Sequence, residues 1–259
     1  MADGFIWYEL MTTDPDGARA FYNEVVGWDI DAQPAGEMDY RMIVRSDGGH
    51  AGGVMRLTGA MVEGGARAGW LGYLNTANVD AVVAATLAEG GSVQMPAMDM
   101  HVGRMAMIAD PQGAVLYVMT PVPPEGQPDA ESDVFSVDQP QHVRWNELQS
   151  TDPEASVAFY SKHFGWTQQG AMPMGDLGDY LFIQKDGTGI GAIMRKLPHV
   201  PASGWSFYIG VDDIDRAVAA VEAGGGKLLG PVQQIPGGEF TVHAMDPQGA
   251  AFGLVGPRA

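Results

Sequence analysis

The chain says the same thing twice. Trp7-Tyr8-Glu9-Leu10 returns as Trp145-Asn146-Glu147-Leu148, Thr13-Asp14-Pro15 as Thr151-Asp152-Pro153, Phe21-Tyr22 as Phe159-Tyr160 and Gly27-Trp28 as Gly165-Trp166, all at an offset of 138 residues. Trp70, Tyr73, Asp80 and Gly90 are answered by Trp205, Tyr208, Asp215 and Gly225, and Asp110-Pro111-Gln112-Gly113 by Asp246-Pro247-Gln248-Gly249. A repeat of about 120 residues is domain-sized, too long for a solenoid unit. Between the copies, a stretch rich in Pro and acidic residues (Pro121, Pro123, Pro124, Glu125, Pro128, Asp129, Glu131, Asp133, Asp138, Pro140) resists both helix and central strand. The expected organisation is therefore a first domain over 1–120, a linker over 121–141 and a second domain over 142–259.

Charge narrows the partners. With 32 Asp+Glu against 14 Lys+Arg the net charge is -18, which repels phosphate backbones and anionic lipid surfaces, so neither nucleic acid nor membrane is an expected partner. The absence of Cys excludes disulfides, thiolate metal sites and Cys nucleophiles. No apolar run reaches the roughly 18 residues of a spanning helix, and Met1-Ala2-Asp3-Gly4 lacks a basic n-region, so the expected location is cytoplasmic.

Within each copy the pattern alternates. Phe5–Thr12 and Val143–Ser150 read as strands, and Asp14-Pro15 and Asp152-Pro153 offer an N-cap followed by Pro at the first helical position. Gly27 and Gly165 suit the left-handed ends of those helices. Strand-like runs follow at 40–44 and 53–57, and at 180–184 and 192–195. A second cycle then begins, with strands at 70–75 and 205–211, helices at 79–88 and 214–223, and strand pairs at 104–109 with 114–119 and 240–245 with 250–255. The glycines of Gly48-Gly49-His50-Ala51-Gly52-Gly53 suit a hairpin rather than a phosphate loop. Met98-Asp99-Met100, just before His101, reads as loop-like, and the Met-rich stretch Met95-Pro96-Ala97-Met98-Asp99-Met100 as an adaptable pocket wall or, more commonly, gap-filling packing.

An opening strand, Asp-Pro, a helix carrying Phe-Tyr, Gly-Trp and a late Asp-Pro-x-Gly strand pair, in that order and twice over, resemble the vicinal oxygen chelate superfamily of glyoxalases, bleomycin resistance proteins and extradiol dioxygenases. The resemblance implies an α+β fold of two glyoxalase-like domains, each a pair of βαβββ modules whose curved mixed sheets enclose a cleft. In metal-dependent members, His, Gln or Glu from strands one, four, five and eight converge on a divalent ion. Carried onto this chain, the first-strand position falls on Trp7 and Trp145, the fifth-strand position on Leu71 and Ser206, and the eighth-strand position on Tyr117 and Gly253. None is a usual metal ligand, so the expectation is a cleft without metal or other cofactor.

Side chains two apart on a strand share a face, which pairs Trp7 with Glu9 and Trp145 with Glu147. A carboxylate beside an indole loses solvation and gains basicity, so Glu9 and Glu147 are the candidate catalytic groups; the plainer alternative is a structural pairing. Trp7, Tyr73, Tyr117, Trp145, Ser206 and Tyr208 are the candidate ligand-binding residues, although core packing accounts equally for any one aromatic ring. The expected partner is a small organic molecule, planar or apolar, and the chain is expected to be a homodimer or a monomer whose repeats mimic one. The alternatives are a metal-dependent lyase, isomerase or dioxygenase in which Glu9 or Glu147 with a displaced His101 or His243 holds a divalent ion, and a non-catalytic protein sequestering a drug or metabolite.

Overall fold

A computed structural model describes residues 4–34, 36–128 and 130–258; Met1-Ala2-Asp3 and the linker's Asp129, both named above, lie outside the described residues. The first repeat contributes β1 (Phe5–Thr12), α1 (Pro15–Val26), β2 (Asp29–Ile30), β3 (Tyr40–Val44), β4 (His50–Arg56), α2 (Gly59–Glu63), β5 (Gly69–Asn75), α3 (Val79–Ala88), β6 (Ser92–Met100), β7 (Gly103–Ala109) and β8 (Val115–Pro121). The second contributes β9 (Val143–Ser150), α4 (Pro153–Phe164), β10 (Thr167–Pro173), β11 (Asp179–Lys185), β12 (Thr188–Arg195), β13 (Gly204–Gly210), α5 (Ile214–Ala223), β14 (Lys227–Leu228), β15 (Gln233–Gln234), β16 (Phe240–Met245) and β17 (Ala251–Gly256). These strands make two mixed sheets, each of two halves, ordered β2-β3-β4-β1 and β5-β8-β7-β6, then β10-β11-β12-β9 and β13-β17-β16-β14. In every half the last strand of the βαβββ module returns parallel to the first, as β4 does beside β1 and β17 beside β13.

Local chemistry sets these boundaries. Asp14 accepts the Gly17 N–H and Asp152 the Ala155 N–H, each with Pro at the first helical turn. Gly27 and Gly165 close the helices at φ +81° and +65°, where a side chain would be strained. One expectation fails. The Met98-Asp99-Met100 stretch is not a loop but the end of β6, paired with β7; Pro96 earlier in the strand is tolerated because β6 is an edge strand with register shifts on either side of Met95.

The chain divides into two compact units that do not coincide with the repeats. Among the described residues one, here the Trp7 unit, spans 7–71, 133–144 and 206–258; the other, the Trp145 unit, spans 4–6, 72–132 and 145–205. Each therefore takes one module from either repeat. In the Trp7 unit α1 packs on α5, and Tyr22 lies edge-on to Trp70 and Phe252 with centroids 5.5 and 5.3 Å away. Trp70 Nε1 donates to the Tyr22 hydroxyl at 3.0 Å, which donates to Asp246 at 3.1 Å, while the other oxygen of Asp246 accepts the N–H of Gln248 and Ala250. The Trp145 unit repeats the device with Trp205, Tyr160 and Asp110 at 3.1 and 2.9 Å. The recurring Asp-Pro-Gln-Gly turn is thus tied to a buried tyrosine from the opposite repeat.

Candidate functional site

In the Trp145 unit, parity on β9 places Trp145 and Glu147 on one face, and Tyr180 of β11 bridges them. The indole Nε1 donates to the Tyr180 hydroxyl at 2.8 Å, and that hydroxyl donates to Glu147 Oε2 at 2.9 Å. Gln149, next on the same face, reaches Glu147 Oε1 at 3.4 Å and accepts the Leu197 N–H. Glu147 is only 5% exposed, whereas Trp145 is half-buried, so the indole presents the open edge of this network. Burial, followed by the neighbouring Glu147 charge, raises the Tyr180 pKa well above its ordinary value and keeps the phenol a donor.

The Trp7 unit holds the counterpart. Trp7 Nε1 donates to the Tyr40 hydroxyl at 2.7 Å, and the Tyr40 ring lies over Gly53, the residue in register with Glu9. Glu9 is 1% exposed. Tyr40 and Tyr180 begin or nearly begin their strands at matching points of the repeat. Their equivalent places at the starts of the 40–44 and 180–184 runs are the signal in the sequence that associates them with Trp7 and Trp145.

The later strands hold the remaining candidates. Tyr73 and Tyr117 are register partners on β5 and β8, buried and stacked at 4.1 Å with 16° between planes. In the second repeat Gly253 stands opposite Tyr208, and the Tyr208 ring occupies the space a side chain would need there. Its hydroxyl lies 2.6 Å from His243 Nε2. Ser206 is half-buried two residues earlier on β13. His101 is exposed in the turn after β6, so it joins none of these groups.

The donor set does not fit a divalent cation. The positions where the resemblance would put ligands carry indole, aliphatic, phenol, hydroxymethyl or hydrogen side chains, and among the described residues no three His, Asp or Glu are placed to hold a metal ion. What the arrangement offers is a fixed aromatic edge backed by a buried acceptor.

The comparisons agree with the fold. The family described as the Glyoxalase/Bleomycin resistance protein/Dioxygenase superfamily matches residues 4–118 and 139–254. CFP32 of Mycobacterium tuberculosis, a candidate glyoxylase by its name, is 31% identical over 264 residues, covering 97% of this chain and 94% of its own. DnrV of Streptomyces peucetius, named as an anthracycline biosynthesis protein, is 32% identical over 125 residues, 42% of this chain and 45% of its own. Among solved structures, the Mn(II)-bound glyoxalase from Novosphingobium aromaticivorans superposes with a TM-score of 0.63 at 17% identity over 99% of this chain and 82% of its own. The 2,2',3-trihydroxybiphenyl 1,2-dioxygenase of Sphingomonas wittichii reaches 0.67 at 13% identity over 99% and 91%.

Proposed function

Given that the chain belongs to the glyoxalase/bleomycin resistance protein/dioxygenase superfamily, we propose that it binds a small planar or apolar organic molecule without a metal ion. The observation that carries this reading is the anchored indole at each first-strand position: Trp7 fixed by Tyr40 and Trp145 fixed by Tyr180. A half-buried ring held in one orientation offers stacking area with little rotamer entropy left to lose. Tyr73, Tyr117, Tyr208 and Ser206 belong to the same reading, the three rings as buried side chains rather than exposed surface. The relative named for anthracycline biosynthesis supports a planar aromatic class of ligand.

Glu9 and Glu147 are the proposed proton acceptors for any turnover. Tyr180 holds one oxygen of Glu147, so a substrate hydroxyl or acidic C–H would have to compete with Gln149 for the other, whose contact at 3.4 Å is the weaker. The same geometry serves simple binding, with Glu147 holding the Tyr180 phenol that holds the Trp145 indole.

The test combines elemental analysis with tryptophan fluorescence during titration with naphthoquinones and anthraquinones. Metal-free protein whose fluorescence is quenched saturably, with about tenfold weaker binding in Trp145→Ala or Trp7→Ala, is the expected result. Stoichiometric Mn, Fe, Ni or Zn held by side chains would overturn it.

A further inference from the structure

The two repeats treat one corner of their opening modules differently. In the first, Arg41 of β3 is 4% exposed; its Nε donates to Asp39 at 2.9 Å and its Nη1 to Asp16 at 2.7 Å, while Arg56 of β4 reaches the second oxygen of Asp39 at 2.6 Å. The Arg41 guanidinium holds Asp39 below the usual carboxylate range, and the corner is filled. In the second repeat Glu154, Asp179 and Arg195 stand where Asp16, Asp39 and Arg56 stand, but Leu181 takes the place of Arg41. An open surface depression of about 260 Å³ lies there, lined by Leu177, Leu181 and Pro153 and by Glu154, Asp179 and Arg195, which are exposed. Among the described residues, the side chains of Glu154 and Asp179 form no hydrogen bond or ion pair.

We propose that this depression in the Trp145 unit binds a small alkylguanidinium, whose planar cation takes the position that the Arg41 side chain fills in the twin corner. Three observations converge. The carboxylate pair that grips a guanidinium in one repeat is kept in the other as an acid pair without its cation. Leu177, Leu181 and Pro153 give an aliphatic stem an apolar wall. Arg195 is no obstacle, because Arg56 shares Asp39 with Arg41 in the first repeat. A metal ion is the poorer occupant, since two carboxylates fall short of the several donors a divalent ion needs in one shell. A guanidinium spans two carboxylates through divergent N–H groups, which a point charge cannot do. The depression sits just below the usual range for drug-sized ligands and suits a small one.

The site is separate from the indole networks, so its test stands apart from theirs. Calorimetric titration of the full chain with ethylguanidinium, against uncharged ethylurea, reads it directly. Ethylguanidinium should bind saturably and raise the melting temperature while ethylurea does neither; Asp179→Asn should weaken binding about tenfold, and Leu181→Arg should abolish it by supplying the cation internally. Absence of saturable binding, equal binding of ethylurea or undiminished binding by Asp179→Asn would each overturn the proposal. Capture of an arginine peptide without any affinity for ethylguanidinium would overturn it in favour of a protein partner. If Leu181→Arg fails to fold, Arg41→Ala decides: it should add a second ethylguanidinium equivalent, and no gain counts against the proposal.

Discussion

At the scale of single residues, the duplication supplies its own control experiments. Ser156 donates its hydroxyl to Gln112 Oε1 at 3.2 Å; in the other repeat Ala18 replaces the serine, and Gln248 Oε1 is buried with no partner among the described residues. A buried orphan acceptor costs about 1–3 kcal/mol relative to a satisfied one. Ala18→Ser should therefore stabilise the chain by about 1 kcal/mol, read as a higher urea midpoint at unchanged slope. The buried tyrosines carry a pH signature. Tyr22 and Tyr160 are raised well above their ordinary value of 10.0, first by burial and then by Asp246 and Asp110. A raised folded-state pKa means the stability is intact below pH 10 and is lost as pH climbs toward the folded value, because the unfolded chain ionises first. Urea midpoints should fall above pH 10. In Tyr22→Phe that slope should be shallower, while stability at pH 7 drops by about 1–3 kcal/mol because buried Asp246 loses a donor. Asp110 and Asp246, raised by their own burial, are favoured by protonation and oppose acid unfolding.

At the scale of elements, small residues decide where rings lie. A Cβ on Gly53 would clash with the Tyr40 hydroxyl and ring carbons, so Gly53→Ala should swing Tyr40 away, release the Trp7 N–H and cost about 1–3 kcal/mol. A red-shifted tryptophan emission together with a lower melting temperature would report both effects. Strands, helices and caps were legible in the sequence because their causes are local: Asp-Pro caps a helix start and alternating apolar residues mark a strand wherever they occur. The pairing of Trp7 with Tyr40 and of Trp145 with Tyr180 was not, since it depends on the register of strands more than 30 residues apart. Shared parity did place Trp145 and Glu147 on one face, but the tyrosine between them went unseen. The end of edge strand β6, Met98-Asp99-Met100, reads locally as a loop, whereas its pairing with β7 is a property of the sheet.

At the scale of the whole molecule, each compact unit needs both repeats. Within the Trp7 unit α1 packs on α5, and within the Trp145 unit Lys162 and His163 of α4 clasp Glu89 just after α3 at 2.7 and 2.8 Å. A fragment of residues 4–121 has α1 and α3 without either partner. It should dimerise or aggregate, exposing apolar helix faces that the full chain covers; sedimentation of a well-folded monomeric fragment would contradict the division into units.

The interleaving also sets an order of events on the ribosome. Residues 7–71 emerge early, yet the strands and helix that complete their unit lie in residues 206–258, so the nascent chain carries an unfinished body through most of its synthesis. The Trp145 unit, whose long segments are all delivered by residue 205, gains its partners sooner. Because long sequence separation slows folding and prolongs exposure of apolar surface, the first module to be translated is the last to find shelter, and it is there that dependence on chaperones should concentrate.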